Sequence, residues 1–144
     1  MKNKILITLA IVALFWLIKL VDTVFPVEFV DYGIEPRKLI GLRGIILAPF
    51  IHANYFHLIS NTLPFFVLTL TLLVFYERIG PAVLIFSALL SGLLVWLIGR
   101  NAVHIGASGI IYSLAAFLIA SGVFRKEFKA LIISVVKIGR ASCR

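Results

Sequence analysis

Residues 57–75 read HLISNTLPFFVLTLTLLVF, a run with no lysine, arginine, aspartate or glutamate. A helix needs roughly 20 apolar residues to cross a bilayer. The stretch therefore predicts a spanning helix that opens on His57 and Asn61. Working outward from it, comparable apolar runs lie at Ile5 to Leu20, at Ala82 to Ile98, and from Gly106 to Phe124. A shorter run begins at Ala130 and stops at Val136. The expected fold class is an all-α, polytopic membrane helix bundle with about four full spans and a partial fifth. Composition agrees. The chain is 62% hydrophobic and 14% charged, with mean hydropathy +1.12, whereas a soluble domain is about a quarter charged.

The net charge is +8. The basic residues do not form one patch. They fall at segment ends: Lys2 and Lys4, Arg37 and Lys38, then Arg125, Lys126 and Lys129. That is the pattern of membrane flanks, so the lipid bilayer is the expected partner and nucleic acid is not. The single Cys143 leaves no intramolecular disulfide and no thiolate metal site. The basic start and apolar body of Met1 to Ile18 resemble a secretory signal, but no small-residue cleavage site follows. It reads as an uncleaved first span.

The long connection from Val21 to Ile51 contains a segment, Gly41 to Phe50, apolar enough to lie at the interface or dip into it. Backbone at that depth must be shielded by protein. Pro64 sits inside the second span, where it removes one backbone hydrogen bond. Tyr76 to Pro81 is a tight turn, with Pro81 suited to a first helical position. Ser87/Ser91 and Ala88/Gly92 are small residues four apart, which allows close helix approach. Residues 1–136 read as one membrane domain and 137–144 as a truncated or non-native tail. Basic residues in short loops weakly favour a cytoplasmic N-terminus. That puts the polar starts of spans two and four on the outer side.

Those polar starts hold the chemistry. Ser108 sits between glycines where a helix begins, so N–H groups there lack intrahelical partners and, with the helix dipole, suit an oxyanion. Close helix packing through small residues is the competing reading. His57 and Asn61 are four apart and share a face; both can donate to one point. His52 precedes them. Interfacial histidines with a capping role are the alternative. Tyr112 lies one turn after Ser108, where its ring could pack on a catalytic partner, although tyrosine is common at interfaces. His104 reads as a loop residue. No metal pattern such as His-Glu-x-x-His occurs, and no cofactor is expected.

Taken jointly, His52, His57 and Asn61 followed by Gly106, Ser108, Gly109 and Tyr112 resemble the rhomboid family of intramembrane serine proteases. Gly33 to Arg37, Ala48 to Phe50 and His104-Ile105 are also similar to bacterial rhomboids. The resemblance implies a six-helix bundle with a water-filled cavity open to the outer face, in a bacterial inner membrane. It implies Ser108 as nucleophile, and an oxyanion hole formed by His57, Asn61 and the Ser108 N–H. Gly106 would admit the substrate backbone. Substrates would be single-span membrane proteins cut near the outer boundary. In this family the general base is a histidine on the sixth helix, and this sequence ends inside the fifth. Serine needs a base to become a nucleophile. The 144-residue chain is therefore expected to lack protease activity by itself. Two other readings are a non-catalytic rhomboid-like protein that binds membrane clients, and a transporter using histidines as a proton relay. The centres of spans two to four hold no acids, which disfavours the transporter.

Overall fold

The computed structural model describes residues 1–25 and 28–125. Five α-helices occur in chain order: α1 (Lys2–Val24), α2 (Gly44–Leu47), α3 (Tyr55–Phe75), α4 (Gly80–Ile98) and α5 (Ser108–Arg125). Short 3-10 turns at Phe29–Tyr32, Leu39–Arg43 and Ala48–Phe50 fill the long connection. Among the described residues there is no strand, only an isolated antiparallel bridge between Ile34 and His104. Met1–Leu114 form one compact unit, and the described part of the rest, Ala115 to Arg125, is helix.

Helices α1, α3 and α4 are long and apolar enough to cross a membrane, and Ser108–Gly122 is a shorter apolar helix. The protein is an integral membrane protein built as an all-α bundle. The fourth span expected from Gly106 is, among the described residues, a shorter apolar helix, and it begins two residues later. Gly106 has φ +102°, a left-handed conformation that glycine adopts without strain, so Gly106 turns the chain and the helix starts at Ser108. The stretch at 130–136 and the tail at 137–144 lie outside the described residues.

Helix α1 packs chiefly on α3. Phe15 is the hub: its ring lies 5.0 Å from Phe65, 5.6 Å from Phe50 and 5.4 Å from the His52 ring. Leu58, Phe65 and Leu72 are buried along α3, and Thr8 is buried on α1. The Thr8 hydroxyl donates back to the Lys4 carbonyl at 2.9 Å, so it enters the interior without an unpaired donor. At the other end of α1, Lys19 is buried. Its ammonium binds the Asp22 carboxylate at 2.6 Å and the Ala53 carbonyl at 3.1 Å. The start of α1 meets the turn between α3 and α4 through a Lys4–Glu77 ion pair, whose hydrogen bond holds the Glu77 carboxyl below its ordinary pKa.

The connection between α1 and α3 is not loose. The apolar segment expected at 41–50 is a continuous series of helical turns over Leu39–Phe50. Two glycines let it fold tightly. A Cβ on Gly44 would stand 2.3 Å from the Gly33 carbonyl carbon, and one on Gly41 would stand 2.1 Å from the Glu35 oxygen. Gly92 on α4 similarly admits Ile45, whose Cγ2 would be 2.8 Å from an added Cβ. The small-residue stripe on α4 thus receives the apolar Leu39–Phe50 segment, and at Ser91 it meets Gly109.

Candidate active site

The mouth of α3 is set by Asn54, whose side-chain oxygen accepts the His57 N–H at 2.8 Å. Asparagine is a strong helix N-cap because it pairs one of the free N–H groups of the first turn. The capping role that the sequence left open for the histidines belongs to Asn54. With the first turn fixed, His57 and Asn61 fall one above the other on the same face. Asn61 is buried, and its amide nitrogen has no hydrogen-bond partner among the described residues.

His52 lies just before the helix and is 1% exposed. Its ring packs on Phe15 and meets the His57 ring at 5.2 Å, tilted by 64°. Neither ring nitrogen has a hydrogen bond of good geometry, although the nearby Phe50 backbone favours the protonated form slightly. Burial, reinforced by His57 and Lys19, outweighs that and lowers the His52 pKa from 6.5 to about 4. His52 is therefore a neutral imidazole at physiological pH.

The second mouth is delivered by backbone. Ile34 and His104 exchange two N–H···O bonds of 2.9 Å, and the Gly106 N–H donates to the Ala48 carbonyl at 2.8 Å. Arg37 reinforces the tie. It donates to the Gly99 carbonyl at 2.8 Å and to the Asn101 side chain, while its own N–H donates to the Trp96 carbonyl at 2.9 Å. Arg37 holds φ +61°, an uncommon conformation for a side chain of this size. The indole N–H of Trp96 returns a bond to the Lys38 carbonyl at 2.8 Å.

These ties press Gly106 against α3. A Cβ there would lie 2.6 Å from His57 Cε1, 2.7 Å from His57 Nε2 and 3.3 Å from Asn61 Nδ2. The Gly106 turn thus covers the two polar groups of α3 with backbone and nothing else. Ser108 follows as the first residue of α5. Its hydroxyl has no hydrogen-bond partner among the described residues. It lines a cavity of about 250 Å³ together with Ser91, Gly92, His104, Gly106 and Gly109.

Of the residues singled out from sequence, His52, His57, Asn61 and Gly106 come together in direct packing, and Ser108 and Gly109 follow on the same turn. Tyr112 does not join them through its ring. It is 75% exposed and stacks on no histidine among the described residues, because one helical turn past Ser108 carries it to the rim of the cavity. The His104 ring nitrogen faces the Arg100 carbonyl at 3.0 Å, as befits a loop residue. The roles of Asn54, Ala48 and Arg37 were not anticipated, although Arg37 and Ala48 stand in stretches that carry the resemblance. Asn54 carried a usable signal, a capping residue three positions before His57. Ala48 carried none, since it acts through its carbonyl. Among the described residues no group of three His, Cys, Asp or Glu side chains is placed to hold a metal ion.

A membrane-embedded helical fold with a serine at one helix mouth and a histidine–asparagine pair at another defines the class. The Rhomboid domain family matches residues 41–140, and the chain belongs to that family. It is 38% identical over 136 residues to uncharacterized proteins of Mycobacterium bovis and Mycobacterium tuberculosis, covering 89% of this chain and 56% of each relative. A Mycobacterium leprae protein, also uncharacterized, is 35% identical over 126 residues, covering 81% of this chain and 49% of the relative. The chain thus spans about half the length of these relatives. No solved structure matches it.

Proposed function

We propose that this is the nucleophile-bearing part of an intramembrane serine endopeptidase. In this reading Ser108 Oγ attacks the carbonyl carbon of a peptide bond in a single-span membrane protein, near the outer boundary of a bacterial inner membrane. The N-terminus of α1 is on the cytoplasmic side. The carbonyl oxygen becomes an oxyanion and receives hydrogen bonds from the His57 ring, the Asn61 amide and the Ser108 N–H. Such donors act best when already aimed and unoccupied. The observation that carries the reading is the seat of Gly106. Only a residue without a side chain fits between the Ser108 turn and the His57/Asn61 pair, and the Asn61 amide there is buried with its donor unused.

The serine needs a base to take its proton. The sequence holds three histidines. His52 is sealed under Phe15, His57 serves as an oxyanion donor, and His104 faces the Arg100 carbonyl. None is left for Ser108. The 144-residue chain alone is accordingly expected not to cleave a reporter membrane substrate, and robust Ser108-dependent cleavage by it would show that another group serves as base.

The direct test is labelling of the full-length protein with a fluorophosphonate probe. Ser108→Ala should abolish labelling, and equal labelling of both forms would remove the nucleophile from Ser108. Asn61→Ala should keep the fold yet lower turnover on the order of a hundredfold, as loss of one oxyanion donor does. Gly106→Ala should abolish activity, since its methyl group would occupy the space of the His57 ring.

A further inference from the structure

A second cavity lies away from Ser108, on the opposite flank of the embedded segment. It has a volume of about 540 Å³. Leu14 and Ile18 of α1 form one wall, Phe29 and Tyr32 another, Leu47 and Phe50 the third. Its hydrogen-bonding capacity is confined to the tyrosine hydroxyl. Apolar cavities of this kind stay dry and accept apolar ligands. We infer that this groove holds one acyl chain of a bilayer glycerophospholipid, with the lipid phosphate against Arg43.

Depth is the first support. Ile18 directly precedes Lys19, whose ammonium pairs with Asp22 where the apolar run of α1 gives way to charged residues. Leu14 lies about 6 Å from Ile18 along the helix. The groove therefore begins at headgroup level and runs into the hydrocarbon. The segment forming its third wall is itself exposed to lipid: Leu39, Ile40, Ile46 and Leu47 all present apolar surface outward, which is tolerable only in a bilayer.

Charge is the second support. The Arg43 guanidinium stands 4.5 Å from the centre of the Tyr32 ring, the rim of the groove. One of its nitrogens donates to the Asp31 carbonyl at 2.8 Å. It makes no ion pair among the described residues, whereas Lys19 and Lys38 are each paired with a carboxylate, and Arg37 is engaged with Gly99 and Asn101. A guanidinium offers five N–H donors in a fork that matches phosphate. Basic side chains beside membrane segments recognise lipid headgroups in this way. An apolar groove with an arginine at its mouth that no carboxylate among the described residues pairs is complementary to a chain attached to a phosphodiester.

The test is native mass spectrometry of the full chain released from nanodiscs containing phosphatidylethanolamine, phosphatidylglycerol and a phosphate-free diacyl glycolipid. The wild type should retain one phospholipid in preference to the glycolipid. Leu47→Trp, which fills the groove, should remove that adduct. Arg43→Gln should lower phospholipid retention about fivefold, the worth of one basic side chain at a membrane surface. Arg43→Lys should restore most of it. Leu14→Phe, a smaller filling change, provides a second route should Leu47→Trp fold poorly. Retention of glycolipid and phospholipid alike would overturn the phosphate contact. Undiminished retention in both filling variants, or no retained lipid in the wild type, would overturn the site.

Discussion

The α1–α3 interface and the seam between residues 33–48 and α4 are held together by opposite means. The first is built from large side chains: Phe15, Leu58, Phe65 and Leu72 interlock with almost nothing exposed. The second is built from the absence of side chains. Gly41 and Gly44 let residues 39–48 fold onto the backbone of residues 33–35, and Gly92 admits Ile45 to α4; hydrogen bonds between Arg37 and Trp96, and from Trp96 to Lys38, tie the segment to α4, while Ile34 pairs with His104 in the loop that follows. Lipid tails are as apolar as leucine, so burial alone drives little association in a bilayer. The first interface therefore relies on dispersion and fit, the second on polar bonds that lipid cannot replace. The difference shows where stability and positional accuracy reside. The large interface anchors the histidines, and the glycine seam delivers the serine.

Phe15→Ala should have the largest effect. It opens a cavity at the centre of the aromatic cluster and should cost about 3 kcal/mol, the low end for such a change because the transfer contribution is small in lipid. Reversible unfolding in mixed micelles measures it, and a loss no greater than that of Gly44→Ala would break the contrast. Close behind comes acidification. The folded state lowers the His52 pKa from 6.5 to about 4, so the unfolded chain binds the proton first. Stability is full above about pH 6.5 and is lost as pH falls toward 4, by on the order of 3 kcal/mol. His52→Phe should flatten that dependence over the same window.

On the seam, Gly44→Ala should cost about 2 kcal/mol through overpacking against backbone that cannot yield. In the full-length protein it should impair Ser108 labelling more than its stability loss explains. The smallest effect belongs to Arg37. Removing its exposed fork should cost about 1 kcal/mol. Arg37→Gly should be milder than Arg37→Ala, since glycine relieves the positive φ while both lose the hydrogen bonds. Equal losses would mean that the backbone conformation at 37 is not strained.

The spans at α1, α3 and α4 were legible because length and apolar composition alone specify them. The turn at Tyr76 and the mouth at His57 were legible for the same reason: polar residues interrupt apolar runs there. The winding of Leu39–Phe50 was not, because it follows from Gly41 and Gly44 meeting backbone from residues 33–35, a contact no local pattern encodes. The pairing of Ile34 with His104 joins positions far apart in the chain and uses only main-chain atoms, so side-chain identity gives no hint of it. Tyr112 follows Ser108 by one turn, and it lines the rim of the same cavity with its ring exposed.

The buried Lys19 ammonium has a mechanical consequence. It rivets the end of α1 to Asp22 of its own helix and to Ala53, the residue after His52. Sliding α1 along its axis would carry Asp22 with it but tear the ammonium from the Ala53 carbonyl. Yet α1, with 23 residues, is about 34 Å long and exceeds a hydrocarbon core of about 30 Å. A thinner or thicker bilayer must then be met by tilting α1 and α3 as one piece rather than by slippage. The histidine pair would keep its register with the first helix whatever the host membrane.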